Sequence, residues 1–236
     1  MTIHKSKKKS KYIKSKKYTK RKRFIPEIEP TLIEYDDKLW KEIFPYKKDL
    51  DYSLLQLSNI GKYSITYYDI ANDISKIIRN HIHNKKATIT DGTSNVGGMI
   101  YAFVNDFDKV NAVEIVEYHC NILRNNLKVY NILDKVDIHC VDYLDISNKL
   151  SQDVVFFDPP WGGPNYKKQK LLNLYLDNIP ISKIIKPLLK KSIVAIKVPF
   201  NFDFKTVFEL SNKTCVYSFY KPNGRLSFYM IIIEKN

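Results

Sequence analysis

From residue 86 onward the sequence alternates short apolar runs with longer amphipathic ones, and this alternation narrows the fold more than any other feature. Ala87-Thr88-Ile89-Thr90-Asp91 reads as a short strand ending in an acid, and Gly97 to Asn105 as a helix after a turn. Val110-Asn111-Ala112-Val113-Glu114-Ile115 is a second strand with an acid near its end. Residues 117–130 then place Cys120, Leu123, Leu127 and Tyr130 on one helical face. Val136–Val141 is a third strand, followed by Asp142-Tyr143, and Val154–Phe157 a fourth, followed by Asp158. A helix near 181–190 and a strand at Ile193–Val198 come next. Thr214–Tyr220 and Leu226–Ile233 form a closing hairpin around Pro222-Asn223-Gly224. Strands alternating with helices predict an α/β, Rossmann-like, doubly wound sheet that is mostly parallel. The seven strand-like runs make it seven-stranded, with an antiparallel C-terminal hairpin. Such sheets bind ligands outside the carboxyl ends of their strands. Asp91, Glu114, Asp142 and Asp158 all fall at that edge.

Upstream the organisation differs. Residues 1–23 carry twelve Lys and Arg side chains and no acid, against a net charge of +14 for the whole chain. A like-charged block of this kind repels itself; it can hold phosphates without reading sequence, act as a nuclear-import signal, or serve only as a solubilising tail. Phe24 to Pro30 is a proline-punctuated linker. Residues 36–60 carry helix-like spacing at Leu39, Ile43, Leu50, Leu54 and Leu57, which predicts a small helical lobe. Tyr68–His81 has apolar residues at spacings of three and four, an amphipathic helix. The expected organisation is therefore a basic tail and linker (1–30), a helical extension (31–80) and an α/β domain (81–236). Cys120, Cys140 and Cys215 are widely spaced with no CxxC pair, so neither a metal site nor a disulfide framework is expected. A reducing, intracellular compartment, nuclear or cytoplasmic, follows as an expectation. No apolar run approaches the roughly 18 residues needed to cross a bilayer, and the N-terminus lacks a signal-peptide core.

The strand-end acids suggest a ligand. Asp91-Gly92-Thr93-Ser94-Asn95-Val96-Gly97-Gly98 is a strand-to-helix turn whose Gly92 and Gly97 allow close backbone approach. It is neither GxGxxG nor a P-loop, so phosphate binding is not favoured. Asp91 can face a cation or amino group, and Glu114 can accept from two ribose hydroxyls. Asp142 can accept from an exocyclic adenine amine, with Tyr143 against the ring. Singly, each acid is more often a helix cap; the ordered set describes S-adenosylmethionine. The fourth acid opens Asp158-Pro159-Pro160-Trp161-Gly162-Gly163-Pro164-Asn165-Tyr166. The prolines fix φ and remove two donors. Trp161 offers a stacking face, and Asp158 an acceptor for an amine. That combination suits methyl transfer to the exocyclic amine of a planar base, chiefly a positioning problem.

The same residues resemble those of the trimethylguanosine synthase family, which methylates N2 of 7-methylguanosine RNA caps. "WGGPNY" after Pro159-Pro160 is similar to the family's PPWGGP signature, and residues 125–144 resemble its NNA-x-VYGI segment. "GKYSIT" at 61–66 resembles the segment that closes over the site. The resemblance implies a class I methyltransferase fold with a small helical extension and capped RNA as partner; a monomer is expected. It also implies Asp158, Pro159 and Trp161 at the reacting centre, and Ser64 and Thr66 beside the cofactor. Trp161, Asn165, Tyr166, Lys197 and Asn201 would meet the cap, with no metal. Stacking on Trp161 would favour the cationic 7-methylated base. Three departures keep other readings open. Asp158 stands where the family commonly has Ser, which fits N6-adenine or rRNA-type N2-guanine methyltransferases. Thr93, Ser94 and Asn95 replace Phe, Cys and Gly, which keeps a catalytically silent cap-binding protein in view. Val198-Pro199-Phe200-Asn201 replaces the family's L-P-R-N, and either Lys197 or the basic tail is expected to supply the missing phosphate-binding charge.

Overall fold

The computed structural model describes residues 28–234; the basic block expected to grip RNA lies outside them. In chain order the elements are α1 (Asp37–Ile43), α2 (Gly61–Ser64), α3 (Tyr68–Asn80), β1 (Thr88–Asp91), α4 (Ile100–Asp106) and β2 (Lys109–Val113). Then come α5 (Glu117–Val129), β3 (Val136–His139), α6 (Tyr143–Ile146), β4 (Val154–Phe157) and the two-residue strands β5 (Tyr175–Leu176) and β6 (Ile179–Pro180). The chain closes with α7 (Ile181–Leu188), β7 (Ile193–Pro199), α8 (Lys205–Phe208), β8 (Thr214–Tyr220) and β9 (Leu226–Ile233).

Seven strands form one sheet in the order β3-β2-β1-β4-β7-β9-β8. The first five are parallel, and β9 and β8 run antiparallel at the far edge. The expected doubly wound sheet with its terminal hairpin is what forms. Strand residues point to alternate faces, and the core divides accordingly. Val154 and Phe156 join Trp40, Ile74, Phe103 and Leu123 on one side. Val155 and Phe157 join Tyr143, Ile185 and Phe202 on the other.

The expected helical lobe at 36–60 is mostly irregular. Asp36 caps α1 by accepting from the Leu39 N–H at 3.0 Å, but the helix ends at Phe44, which is extended (φ −96°, ψ 153°). Pro45 follows, and the residue before a proline is driven out of the helical region. Leu54 is exposed, while Trp40, Ile43 and Leu57 are buried in the same cluster as the sheet. The segment is pinned to α5 by the asparagines of the 125–144 run. Asn126, fully buried, accepts from Gln56 N and donates to Gln56 O, both at 2.8 Å, and Asn125 donates to Leu54 O at 2.9 Å.

One expectation is overturned here. Cys120 and Cys140 are joined by a disulfide, with Cα atoms 6.1 Å apart. Their spacing resembles no framework motif because the α5–β3 crossover, not local sequence, brings them together. Cys215 is free and exposed.

Candidate active site

The β1–α4 turn is built from its own hydroxyls and carboxylates. Asp91, 2% exposed, accepts from Thr93 N at 3.0 Å, and the Ser94 hydroxyl donates to Asp91 O at 3.0 Å. Asn95 is left-handed, φ 49°, a conformation Asn tolerates better than most residues. It therefore stands in for the glycine that the resemblance leads one to expect. Thr93 Oγ1 accepts from the backbone N–H of Asp158 at 2.8 Å, so the altered residues join the turn to the corner after β4. Glu114 is held by two backbone donors, Asn95 N and Val116 N, each at 2.8 Å. A carboxylate has about four lone-pair sites, so Glu114 is oriented and still able to accept more.

Segment 61–66 packs over this turn. A Cβ on Gly98 would lie 2.9 Å from both Thr66 N and Thr66 O, so only glycine permits the contact. Asn95 Nδ2 donates to Ser64 Oγ at 2.8 Å, while Asn95 Oδ1 is buried with no hydrogen-bond partner among the described residues. A Cβ on Gly92 would lie 2.5 Å from the Phe157 ring. Gly97 sits against Leu123.

Burial dominates the electrostatics. It pushes the Asp91 carboxyl up to about 8, against the opposing hydrogen bond from Thr93 N, and the neighbouring Asp158 and Glu114 charges push the same way. Burial also raises Asp158, while Lys197 lowers it. Parallel pairing of Phe157 with Ile196 makes Asp158 and Lys197 neighbours. Lys197 Nζ donates to Asp158 Oδ2 at 2.7 Å and to Thr66 Oγ1 at 2.9 Å.

The structure thus gathers Ser64, Thr66, Asp91, Gly92, Glu114, Asp158 and Trp161 around the C-terminal ends of β1, β2 and β4. Asp142 caps α6, accepting from Leu144 N at 2.9 Å. Three expected residues are placed differently. Lys197, expected at the cap phosphates, is 8% exposed and turned inward, because Asp158 and Thr66 take its donors. Tyr143, expected against an adenine, is 3% exposed, edge-on to Phe157 at 5.1 Å, with its hydroxyl accepting from Gln152 Nε2 at 3.1 Å. Asn201 spends its amide donors on Tyr166 O at 2.9 Å and Gln169 O at 2.8 Å, fixing the 163–168 helical turn that carries Asn165 and Tyr166. Pro159 is buried and Asn165 exposed. Trp161 is half-buried, its ring 5.3 Å from Tyr166 at 75° and its Nε1 buried without a partner among the described residues. Sequence reasoning missed Phe200, 41% exposed and 6.2 Å from Tyr166, which extends this aromatic rim.

A family model described as RNA cap guanine-N2 methyltransferase matches residues 86–236. The chain belongs to that family. It is 32% identical over 196 residues to an uncharacterized protein, L320, of Acanthamoeba polyphaga mimivirus, covering 71% of this chain and 75% of that one. It is 25% identical over 201 residues to the trimethylguanosine synthase of Saccharomyces cerevisiae, covering 79% of this chain and 64% of the yeast protein. Among solved structures, the T. thermophilus 16S rRNA N2 methyltransferase in complex with AdoMet and guanosine superposes with a TM-score of 0.53 at 9% identity, covering 71% of this chain and 42% of that one. This last likeness is one of fold, that of a Rossmann-like methyltransferase. Among the described residues no helix is long and apolar enough to cross a membrane, and no cluster of His, Cys, Asp or Glu could hold a metal ion.

Proposed function

We propose that the chain methylates the exocyclic N2 of a 7-methylguanosine RNA cap with S-adenosylmethionine as donor. The observation that carries this reading is the join between two half-sites. The acid-lined β1–α4 turn and the Asp158-Pro159-Pro160-Trp161 corner share the Thr93–Asp158 hydrogen bond, so donor and acceptor would meet at one place. The residues fit the donor. Its ammonium, ribose hydroxyls and amine all need acceptors, and Asp91, Glu114, Asp142 and the orphaned Asn95 Oδ1 supply them. When bound, S-adenosylmethionine supplies an electrophilic methyl on a cationic sulfur.

The chain's own residues then have a positioning task. Asp158 accepts an N–H from the acceptor amine, which turns the nitrogen lone pair toward the donor side. Trp161 holds the base flat. A cationic 7-methylated base over indole gains about 0.5–2 kcal/mol over a neutral one. Lys197 Nζ already lies 5.5 Å over the Trp161 ring, so a cationic base belongs on the opposite face. Trp161 also reports the test, since the chain has two tryptophans and the other, Trp40, is buried. Titration with 7-methyl-GTP is expected to quench Trp161 fluorescence at lower concentration than GTP, and Trp161→Phe should remove the quench. Equal quenching by both nucleotides would refute cation recognition at Trp161. The carboxylate at 158 favours a second reading, an rRNA-type N2-guanine methyltransferase, which would take unmethylated guanine instead.

A further inference from the structure

We propose that Lys197, assisted by Thr66, is a positioning residue that keeps the Asp158 carboxylate ionised and directed at the acceptor amine. This rests on the acceptor site proposed above and adds the group that makes a carboxylate workable there.

Asp91 and Asp158 end neighbouring strands, Asp91 pairing with Phe156 two residues before Asp158. Both carboxyls are largely buried, and among the described residues Asp158, unlike Asp91, has a cation beside it, 2.7 Å away. Lys197 is itself enclosed. Its side chain is 10% exposed, with Phe228 at 5.0 Å and Trp161 at 5.5 Å on the flanking faces. A lysine buried this deeply is tolerated when its charge is paired and its donors are taken. Asp158 Oδ2 and Thr66 Oγ1 take two of the three. The acid on the neighbouring strand end is Asp91, whose own carboxyl the Asp158 and Glu114 charges push up, and among the described residues the charge that acts on Asp158 is that of Lys197.

The protonation state decides the chemistry. An ionised carboxyl only accepts hydrogen bonds, so it binds the amine through its N–H and leaves the lone pair free. A protonated carboxyl donates, and the partner it would find is the lone pair that must attack. Because Lys197 engages Oδ2, Oδ1 is the oxygen directed to the amine. Thr66 lies in the segment packed on Gly98, so the segment against the β1–α4 turn also supplies the second acceptor of Lys197. The lysine that sequence reasoning assigned to phosphate thus acts on the reacting end of the base.

The test is carbon NMR of full-length protein with labelled aspartate carboxyls, with Asp158 identified as the resonance lost in Asp158→Asn. In the wild type, Asp158 is expected to be ionised at pH 7. In Lys197→Met its midpoint should rise by at least about one pH unit, with Lys197→Arg restoring it and Thr66→Val shifting it less. The acid limb of kcat/KM should move with the midpoint, so that the Lys197→Met defect shrinks roughly tenfold per pH unit on raising the pH. A wild-type Asp158 protonated at pH 7 would overturn the proposal, even if Lys197→Met fails to fold. So would an unmoved midpoint in the variant, or an activity loss equal at every pH. An unmoved midpoint in Thr66→Val would remove Thr66 from it. Titrations as expected in a protein inactive on 7-methyl-GTP would instead sink the acceptor assignment and leave the pairing intact.

Discussion

Burial of Asp91 has a consequence for stability, and burial moves the neighbouring Asp158 carboxyl in the same direction, upward, against the pull of Lys197. The Asp91 carboxyl sits at about 8 in the folded protein and near 3.9 when unfolded. Below about pH 4 both states are protonated and burial costs nothing extra. Between about 4 and 8 the unfolded chain ionises while the folded one stays protonated, so stability falls as pH rises, by at most about 1.4 kcal/mol per pH unit, and levels off above 8. Asp91→Asn should flatten that slope in urea unfolding between pH 5 and 8; an unchanged slope would place the carboxyl's ionisation elsewhere. A cationic donor ligand favours the ionised form, so its affinity should rise with pH up to about 8 with release of a proton, read by calorimetry in buffers of different ionisation heat. Gly98→Ala would press on Thr66 backbone atoms. It should lower stability by about 1–3 kcal/mol and lower activity by lifting segment 61–66. The acids themselves were legible from the sequence, each being the polar residue that ends an apolar run. The partner of Asp158 was not. Lys197 lies 39 residues away, and only the register of β4 against β7 joins the two. Asn95 looked like a lost glycine, although its left-handed backbone preserves the turn.

The elements most clearly legible were those with an unbroken period. α3, α5 and the strands of the sheet lie within a few residues of where apolar spacing puts them. Those missed depend on a partner. The strands β5 and β6 are only two residues each, and the turn joining them is set by Asp177 and Asn178 at φ 46° and 62°, a pattern that favours a tight hairpin. No alternation is visible over so few residues. Likewise the 36–60 spacing suggests helix, but Pro45 and the asparagine clamp from α5 decide the path. That clamp is testable. Asn126→Ala leaves the backbone N–H and C=O of Gln56 without this partner in a partly buried place, so it should cost about 1–3 kcal/mol. If the lobe serves the site as proposed, kcat/KM should also fall by more than tenfold. A variant as stable as the wild type would show that the lobe is held by its apolar contacts alone.

For the whole molecule, charge and site separate cleanly along the sequence. Residues 1–23 hold most of the excess positive charge, whereas the proposed site is built from acids with one paired lysine. Removing residues 1–27 should therefore weaken binding to a capped oligonucleotide, most strongly at low salt, and leave turnover of 7-methyl-GTP unchanged. Loss of that turnover would assign part of the tail to the site. The central claim is that the acceptor is the N2 amine of a 7-methylated guanine. The most direct measurement is mass spectrometry of 7-methyl-GTP and GTP, each incubated with purified protein and S-adenosylmethionine. The account predicts a gain of one or two methyl groups on 7-methyl-GTP and none on GTP. Methylation of GTP with 7-methyl-GTP untouched would contradict it.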